Sequence, residues 1–547
     1  MSSPRVRLAI AACLAAASLV LDLRGQTAVS PRQILDIGLS GVDAGVIGGE
    51  SHTPGSAETR KRVRLARALS ADRVNAAGIR YASGRVIVKF RDQTEMPRRL
   101  DAVRSASKNG AIAPRALHAD FDIVTVDPGE DPATVAQALD EDPGVEYAQV
   151  AHRMRALFVP NDPLYGTFQW NLPMINLEKA WDIQPQAGSS IIVAVLDTGV
   201  AYKNATLDVT LKSFTDDDGV RYPALGRQLI PYSAAPQLVA SGQSSRIVAP
   251  HDFIWNDGRD ALDFSGHGTH VSGTIGQLTN DGIGTAGVAF NVRLMPVKVL
   301  ASEWDVIFGG SRDEGGSDDQ IARGIRYAAD NGAKILNMSL GGSGPPNCAA
   351  LPNNPDCSPV IEAALRYAVG KGCFVVVAGG NEFEDTVPFY GKNPTSVIAE
   401  IASRIKGVVS VAAVDPAKGH AYYSSTGSYI ELSAPGGSER GFSNSGFIRQ
   451  QTFDFDRTDT FLLPPSQYIP PRFDIFGYIG YIGTSMATPH VAGVAAMIMQ
   501  QGVTDPAAIE DLLERTAVDL GAPGRDDTFG FGLVDARAAL RGLGLAK

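Results

Sequence analysis

Apolar runs without polar alternation set the frame of the chain. Residues 191–196, 294–299, 335–340, 374–378 and 408–414 are rich in Val, Ile and Leu and lack the period-two polarity of a strand with one wet face, as strands of a parallel sheet covered on both sides do. Helical spacing marks 319–330 and 360–369, and two further helices, 486–500 and 506–514, close the pattern. Strand and helix in alternation predict an α/β fold, a doubly wound, mostly parallel sheet whose sites gather at the carboxyl ends of the strands. Residues 84–156 change character. Strands at 85–90, 121–126 and 145–150, helices at 96–107 and 133–139, and a short strand within 111–118 give a βαββαβ order, a small α+β domain of ferredoxin-like type that is marginal alone. Residues 29 to about 80 keep no period and read as a disordered linker.

The amino terminus adds a leader. Arg5 and Arg7 precede an uncharged run, 8–21, that Asp22 and Arg24 end. That length suits a secretory signal and is too short for a bilayer, so the mature protein is expected outside the cytoplasm, secreted or periplasmic. Cleavage is placed near 26–28, with 15–17 as the alternative. Ile10-Ala11-Ala12-Cys13 has the look of a lipoprotein box, but it stands too close to Arg7 for a full apolar segment. No other stretch reaches membrane-spanning length. The expected organisation is therefore a signal at 1–28, a linker at 29–80, the small domain at 81–157 and the large domain at 158–547.

Composition narrows the partners. Of 547 residues 44% are hydrophobic and 20% charged, and 49 basic against 59 acidic residues leave a net charge of −10. The chain is globular and has no global basic field for phosphate or anionic lipid, which argues against nucleic acid as its main partner. Losing Cys13 with the leader leaves Cys348, Cys357 and Cys373. Cys348 and Cys357 bracket a short Pro/Asn-rich loop, so any disulfide is expected there, stabilising by about 2.5 kcal/mol in the chain-entropy model. Cys373 opens an apolar run and reads as a buried, inert thiol.

Three motifs carry candidate chemistry. Asp197 ends the first buried strand in Leu196-Asp197-Thr198-Gly199, where a carboxylate needs a partner or caps an Asx turn. Ser265-Gly266-His267-Gly268-Thr269-His270 opens a small-residue helix. His267 and His270 share a face as metal ligands do, but a third ligand and the Glu of a zinc-protease helix are missing, and His267 fits a general base better. Gly483-Thr484-Ser485-Met486-Ala487-Thr488-Pro489-His490 starts a helix apolar all round. Ser485 is either its plain cap or a nucleophile fixed at a positive helix end, with its own N–H aimed at a developing oxyanion.

Together these motifs resemble the subtilisin-like serine peptidases, with Asp, His and Ser in that family's chain order. The resemblance spans about 165–540 and includes Gly530-Phe531-Gly532-Leu533-Val534-Asp535-Ala536 near the end. It implies that Asp197 orients the imidazole, His267 is general base and then acid, and Ser485 is acylated. By the same resemblance Asn381, in Gly379-Gly380-Asn381, is the side-chain oxyanion donor. Ser339, Leu340 and Gly341 would pair with an extended peptide, and with Gly379 and Gly380 they would line the first specificity pocket. No acidic residue is evident at the matching pocket positions, so a large apolar side chain is expected there. Inserts at about 203–250, 302–316, 343–358 and 437–475 depart from the family pattern near the cleft.

No cofactor is required for the chemistry, while a structural calcium is implied at 278–285, with Asn280 as a ligand; the aspartate expected just after the first motif is missing from 201–205. The small domain resembles the family's inhibitory propeptide, a folding aid and intramolecular plug whose tail, 153–159, would lie through the site, with the mature chain starting before Asn161. The implied protein is a monomeric, exported endopeptidase made as a zymogen and acting on polypeptides. A catalytically silent binding module and an acyl-transferring ligase are the competing readings.

Overall fold

The computed structural model describes residues 73–74 and 80–541, apart from 128, 153–157, 217, 240–245, 256–259, 346–347, 349–356 and 389. The leader with Cys13, nearly all of the linker, and the tail residues 153–157 lie outside the described residues.

In the small domain β1 (Arg73–Val74), β2 (Arg80–Phe90), α1 (Met96–Ala106), β3 (Ala111–Ile112), β4 (Asp122–Thr125), α2 (Pro132–Asp140) and β5 (Val145–His152) follow one another. β3 pairs with β4, β4 with β2 and β2 with β5, all antiparallel. Proline in the first turn of α1 and α2 loses no helical bond, and Asp131 caps α2 by accepting from the Ala133 N–H. Val86, Val88, Val103, Val124 and Leu139 are fully buried and form the core between helices and sheet. The linker expected to be unstructured contributes β1, which pairs with the start of β2. A two-residue ladder leaves no periodicity for the sequence to display.

The large domain contains, in order, α3 (Leu177–Ile183), β6 (Ile192–Asp197), β7 (Ala205–Leu211), β8 (Gly226–Tyr232), β9 (His251–Asp252), α4 (His267–Gly276), β10 (Arg293–Lys298), α5 (Glu303–Ile307), α6 (Asp318–Asp330) and β11 (Ile335–Met338). Then come α7 (Pro359–Gly370), β12 (Phe374–Ala378), β13 (Val408–Val414), β14 (Leu432–Pro435), β15 (Ile448–Phe453), β16 (Phe476–Tyr481), α8 (Thr484–Gln500) and α9 (Pro506–Thr516).

Seven strands form one parallel sheet in the order β9-β10-β6-β11-β12-β13-β14. Val193, Val195, Phe374 and Val376 pack on the face of α4 and α8; Ala194, Leu196, Val375 and Val377 pack on the face of α6 and α7. Covering both faces removes any need for polar alternation along a strand. β6, third in this order, lies between β10 and β11, so the direction of winding reverses at its edge. Crevices at such reversals, outside the strand carboxyl ends, are where α/β sheets hold ligands. Two inserts are hairpins, β7 with β8 and β15 with β16. They are tied together by the Ser233 N–H to the Phe473 carbonyl (3.0 Å) and the Phe473 N–H to the Pro231 carbonyl (3.1 Å), around Tyr232, Phe453 and Phe473.

Candidate active site

Asp197, the last residue of β6, has no exposed surface. His267 is the first residue of α4, and its Nδ1 donates to Asp197 Oδ1 at 2.7 Å. The same oxygen accepts from the Thr198 N–H at 2.7 Å. Glycine makes this approach possible. A Cβ on Gly268 would lie 2.1 Å from the Gly199 carbonyl oxygen, and one on Gly199, at φ 111°, would lie 2.6 Å from the Leu262 carbonyl. Burial works against the His267 imidazolium, but Asp197 and then Asp263 outweigh it, and the pKa lies above the ordinary histidine value. The His267 side chain is 28% exposed, so one edge of the ring is open to solvent.

His270 is a different group. Its Nε2 donates to the carbonyls of Ile448 and Ile479, 3.1 Å each, and its ring stacks on Tyr481. Burial and the neighbouring His267 push its pKa down to about 3. It fastens α4 to the β15–β16 hairpin.

Ser485 is the second residue of α8, after Gly483, whose φ of 150° turns the chain from β16 into the helix. The Gly483 N–H donates to the Tyr423 hydroxyl at 2.9 Å, which fixes the turn. Pro489 has no N–H to reach back to the Ser485 carbonyl, four residues earlier. That carbonyl instead accepts from the Ser339 hydroxyl at 2.8 Å, while Ser485 Oγ donates to the Ser339 carbonyl at 3.2 Å. Ser485 and Ser339 are thereby brought together at the end of β11. Asn381 follows β12; its Oδ1 accepts from both the N–H and the hydroxyl of Thr484 (2.9 Å each). With the oxygen engaged, Nδ2 is turned outward as a donor beside Gly483. Gly380 donates its N–H to the Thr484 hydroxyl, a Cβ on Gly379 would meet the Val411 carbonyl, Leu340 is buried, and Gly341 leads out of β11.

The Glu382 carboxyl folds back to accept from the Asn381 N–H (2.8 Å), and its Oε2 lies 3.1 Å from where a Cβ on Gly380 would stand. An acidic group therefore stands beside Gly380, one residue beyond the positions read from the motif.

Asn280 sits at φ 63° in the loop after α4. Its N–H donates to Asp162 Oδ2 at 2.7 Å, its Oδ1 accepts from the Asn161 N–H, and the Gln237 amide donates to Asp281 at 3.1 Å. Asp162 Oδ1 and Gln237 Oε1 are buried with no hydrogen-bond partner among the described residues. Burial, reinforced by Asp281, raises the Asp162 pKa. These two orphaned hard oxygens, beside Asn280 and Asp281, are of the chemical type that calcium takes as ligands.

A buried aspartate and an exposed-edge histidine meet in one hydrogen bond at the switch point, and the helix bearing Ser485 starts against the end of the neighbouring strand β11, where the Ser485 hydroxyl bonds the Ser339 carbonyl. Residues 188–532 match the sequence family described as the subtilase family, and residues 70–150 match the fervidolysin N-terminal prodomain family. The chain belongs to the subtilase family. It is a serine peptidase preceded by a prodomain. It is 29% identical to a thermophilic serine proteinase of Bacillus sp. (strain AK1), across 81% of this chain and 84% of that protein. It is 31% identical to an extracellular protease of Xanthomonas campestris pv. campestris, across 74% of this chain and 61% of that one. Among solved structures, fervidolysin from Fervidobacterium pennivorans is 24% identical, with a TM-score of 0.46, over 84% of this chain and 61% of that one.

In this subtilase Cys348 and Cys357 are disulfide-bonded, and Cys373 is free and buried, its thiol pushed up to about 11 by burial. Residues 349–356 of the bracketed loop lie outside the described residues. Phe158, in the tail expected to cross the site, packs its ring on Trp181 and Phe290 and donates its N–H to Asp182. Reasoning from the motifs missed Asp263, Thr198 and Lys298, which surround the Asp197–His267 pair; an acidic residue four positions before the histidine was the available signal.

Proposed function

We propose that this subtilase is an exported endopeptidase made as a zymogen, and that Asp197, His267 and Ser485 form its triad. The 2.7 Å bond between His267 Nδ1 and Asp197 Oδ1 carries the reading. With Nδ1–H donated to a carboxylate, Nε2 keeps its lone pair for the Ser485 proton. The Ser485 hydroxyl leaves the Ser339 carbonyl by rotation about χ1, attacks the scissile carbonyl and gives its proton to His267. The Ser485 N–H at the positive end of α8 and Asn381 Nδ2 take up the oxyanion. His267 then protonates the departing amine, and water repeats the sequence on the acyl-enzyme. Substrates are extended polypeptides, held by backbone pairing to Ser339, Leu340 and Gly341 beside Gly379 and Gly380. Asp162, Gln237 and Asn280 would hold a structural calcium, which supplies no step of the reaction. Among the described residues no helix is long and apolar enough to cross a membrane, and relatives are named as extracellular proteases; both support export.

A fluorophosphonate probe tests the reading. Folded, processed protein should label at Ser485, Ser485→Ala should not, and turnover should fall roughly 10⁶-fold; an unlabelled wild type would leave a silent binding module. Product masses on a peptide library separate hydrolysis from ligation. Ser485→Ala should remain full length in a host without a helper protease. Because Phe158 is packed into the large domain, sequencing of the mature protein should read a start at or before Phe158.

A further inference from the structure

We propose that Asp263, acting through Thr198, is a positioning residue that holds His267 in line with Asp197. The inference rests on His267 being the general base.

Asp263 is fully buried and receives five donors. Its Oδ1 accepts from the Thr198 hydroxyl and from the N–H groups of Ser265 and Gly266, each at 2.9 Å. Its Oδ2 accepts from the Thr269 N–H at 2.9 Å and the Thr269 hydroxyl at 2.6 Å. The Thr198 hydroxyl also accepts the Gly268 N–H at 3.0 Å. The N–H groups on both sides of His267 are therefore gathered by one carboxylate, directly or through one hydroxyl. The first turn of a helix leaves its N–H groups without helical partners, and Gly266 offers no side chain to take them. Asp263 fills that gap from outside the helix.

Thr198 is in turn tied to the other half of the pair. Its N–H donates to the Asp197 oxygen that holds His267, and its carbonyl accepts from Lys298 Nζ at 2.6 Å. Lys298 has no exposed side-chain surface and is neutralised by Asp305 at 2.9 Å. Strand, loop and helix thus meet on one hydroxyl. The chemistry of the site demands a carboxylate, because every neighbour is a donor and an amide would set its own NH₂ against one of them.

The charge also bears on the base. The ionisable groups around His267 are Asp197 on β6, Asp263 before α4, neutral His270 one turn along α4, the Tyr481 hydroxyl on β16, and the Lys298–Asp305 pair. Asp263 adds to Asp197 in raising the His267 pKa. A positioning loss of this kind shows as kcat, since a displacement of about 1 Å costs on the order of 10²-fold.

Asp263→Asn and the pair Thr198→Val and Thr198→Ser form the test, read as kcat, KM and the pH profile of kcat/KM on folded, processed protein. For Asp263→Asn the expected result is kcat reduced about 100-fold, KM little changed, and the acid limb moved to lower pH. Thr198→Val should lose about tenfold while Thr198→Ser stays near wild type. An Asp263→Asn protein with wild-type kcat, or with reduced kcat and an unmoved acid limb, overturns the inference. If Asp263→Asn fails to fold, the threonine pair decides, and equal kcat for Val and Ser overturns it. A wild type without activity instead sinks the peptidase reading itself.

Discussion

Asn381 is held by the oxygen of its amide, which leaves the NH₂ half for the proposed oxyanion. Two bonds from Thr484 fix Oδ1 and so dictate where Nδ2 points. Asn381→Ala should lower kcat by roughly 10²–10³, the loss subtilisin shows for its own side-chain donor, with KM nearly unchanged; active-site-titrated kinetics check it. At this scale Asp197, His267 and Ser485 stand out in the sequence because their surroundings are crowded with glycine and small residues, which backbone contacts under 3 Å from a hypothetical Cβ require, as at Gly268 and Gly199. Asp263 gave only the weaker signal of an acidic residue four positions before His267. Its five donors come from Thr198, Ser265, Gly266 and Thr269, and only the folded backbone brings them to one point. The Glu382 carboxyl beside Gly380 was hidden for the same reason, since its fold back over its own loop is met by the Ser425 hydroxyl, far along the chain, which donates to Glu382 Oε2.

Elements with enough apolar residues were legible, and short ones were not. Five strands of the large sheet stand out as runs rich in Val, Ile and Leu, whereas β9 has two residues and β14 reads Leu-Ser-Ala-Pro, too short to be noticed though every position is buried. The loop after α4 shows how inserts obscure a candidate site. Gln237 reaches this loop from beyond the β7–β8 hairpin and donates its amide N–H to Asp281, more than thirty residues after 201–205. If calcium occupies the set around Asp162, chelation should lower the thermal midpoint of the wild type by several degrees and leave Asp162→Asn almost unmoved, because the variant has already lost the ligand with an orphaned oxygen. Calorimetry with and without EDTA, on the Ser485→Ala background to prevent autolysis, measures both. Equal sensitivity of the two proteins would remove Asp162 from the ligand set.

For the whole molecule, pH couples to stability at the far edge of the sheet. Carboxylate oxygens of Glu431, Glu510 and Glu514 lie within 4.8 Å of one another where β14 meets α9. Lys406 partners Glu510 at 2.8 Å, and Glu431 accepts only the Ser410 N–H, at 3.0 Å, among the bonds seen. Burial, and then the charges of Glu510 and Glu514, raise the Glu431 pKa from 4.5 to about 8. In the unfolded chain the group ionises near 4.5, so between pH 4.5 and 8 the native state binds the extra proton. Stability from this group is thus complete below about pH 4.5 and declines as pH rises to 8, by on the order of a few kcal/mol. Glu431→Gln keeps an oxygen for the Ser410 N–H and has no proton to lose. Relative to its parent in the Ser485→Ala background, the variant should show a similar thermal midpoint near pH 4.5 and a higher one, by several degrees, at pH 8.5. Raised carboxyls outside the cluster, Asp252 at about 6 and Asp459 at about 7, bend both curves alike, so the difference between the proteins reports on Glu431 and the neighbours coupled to it. A difference that stays flat across this range would mean that Glu431 is ionised in the native state and that Lys406 serves it as well as Glu510.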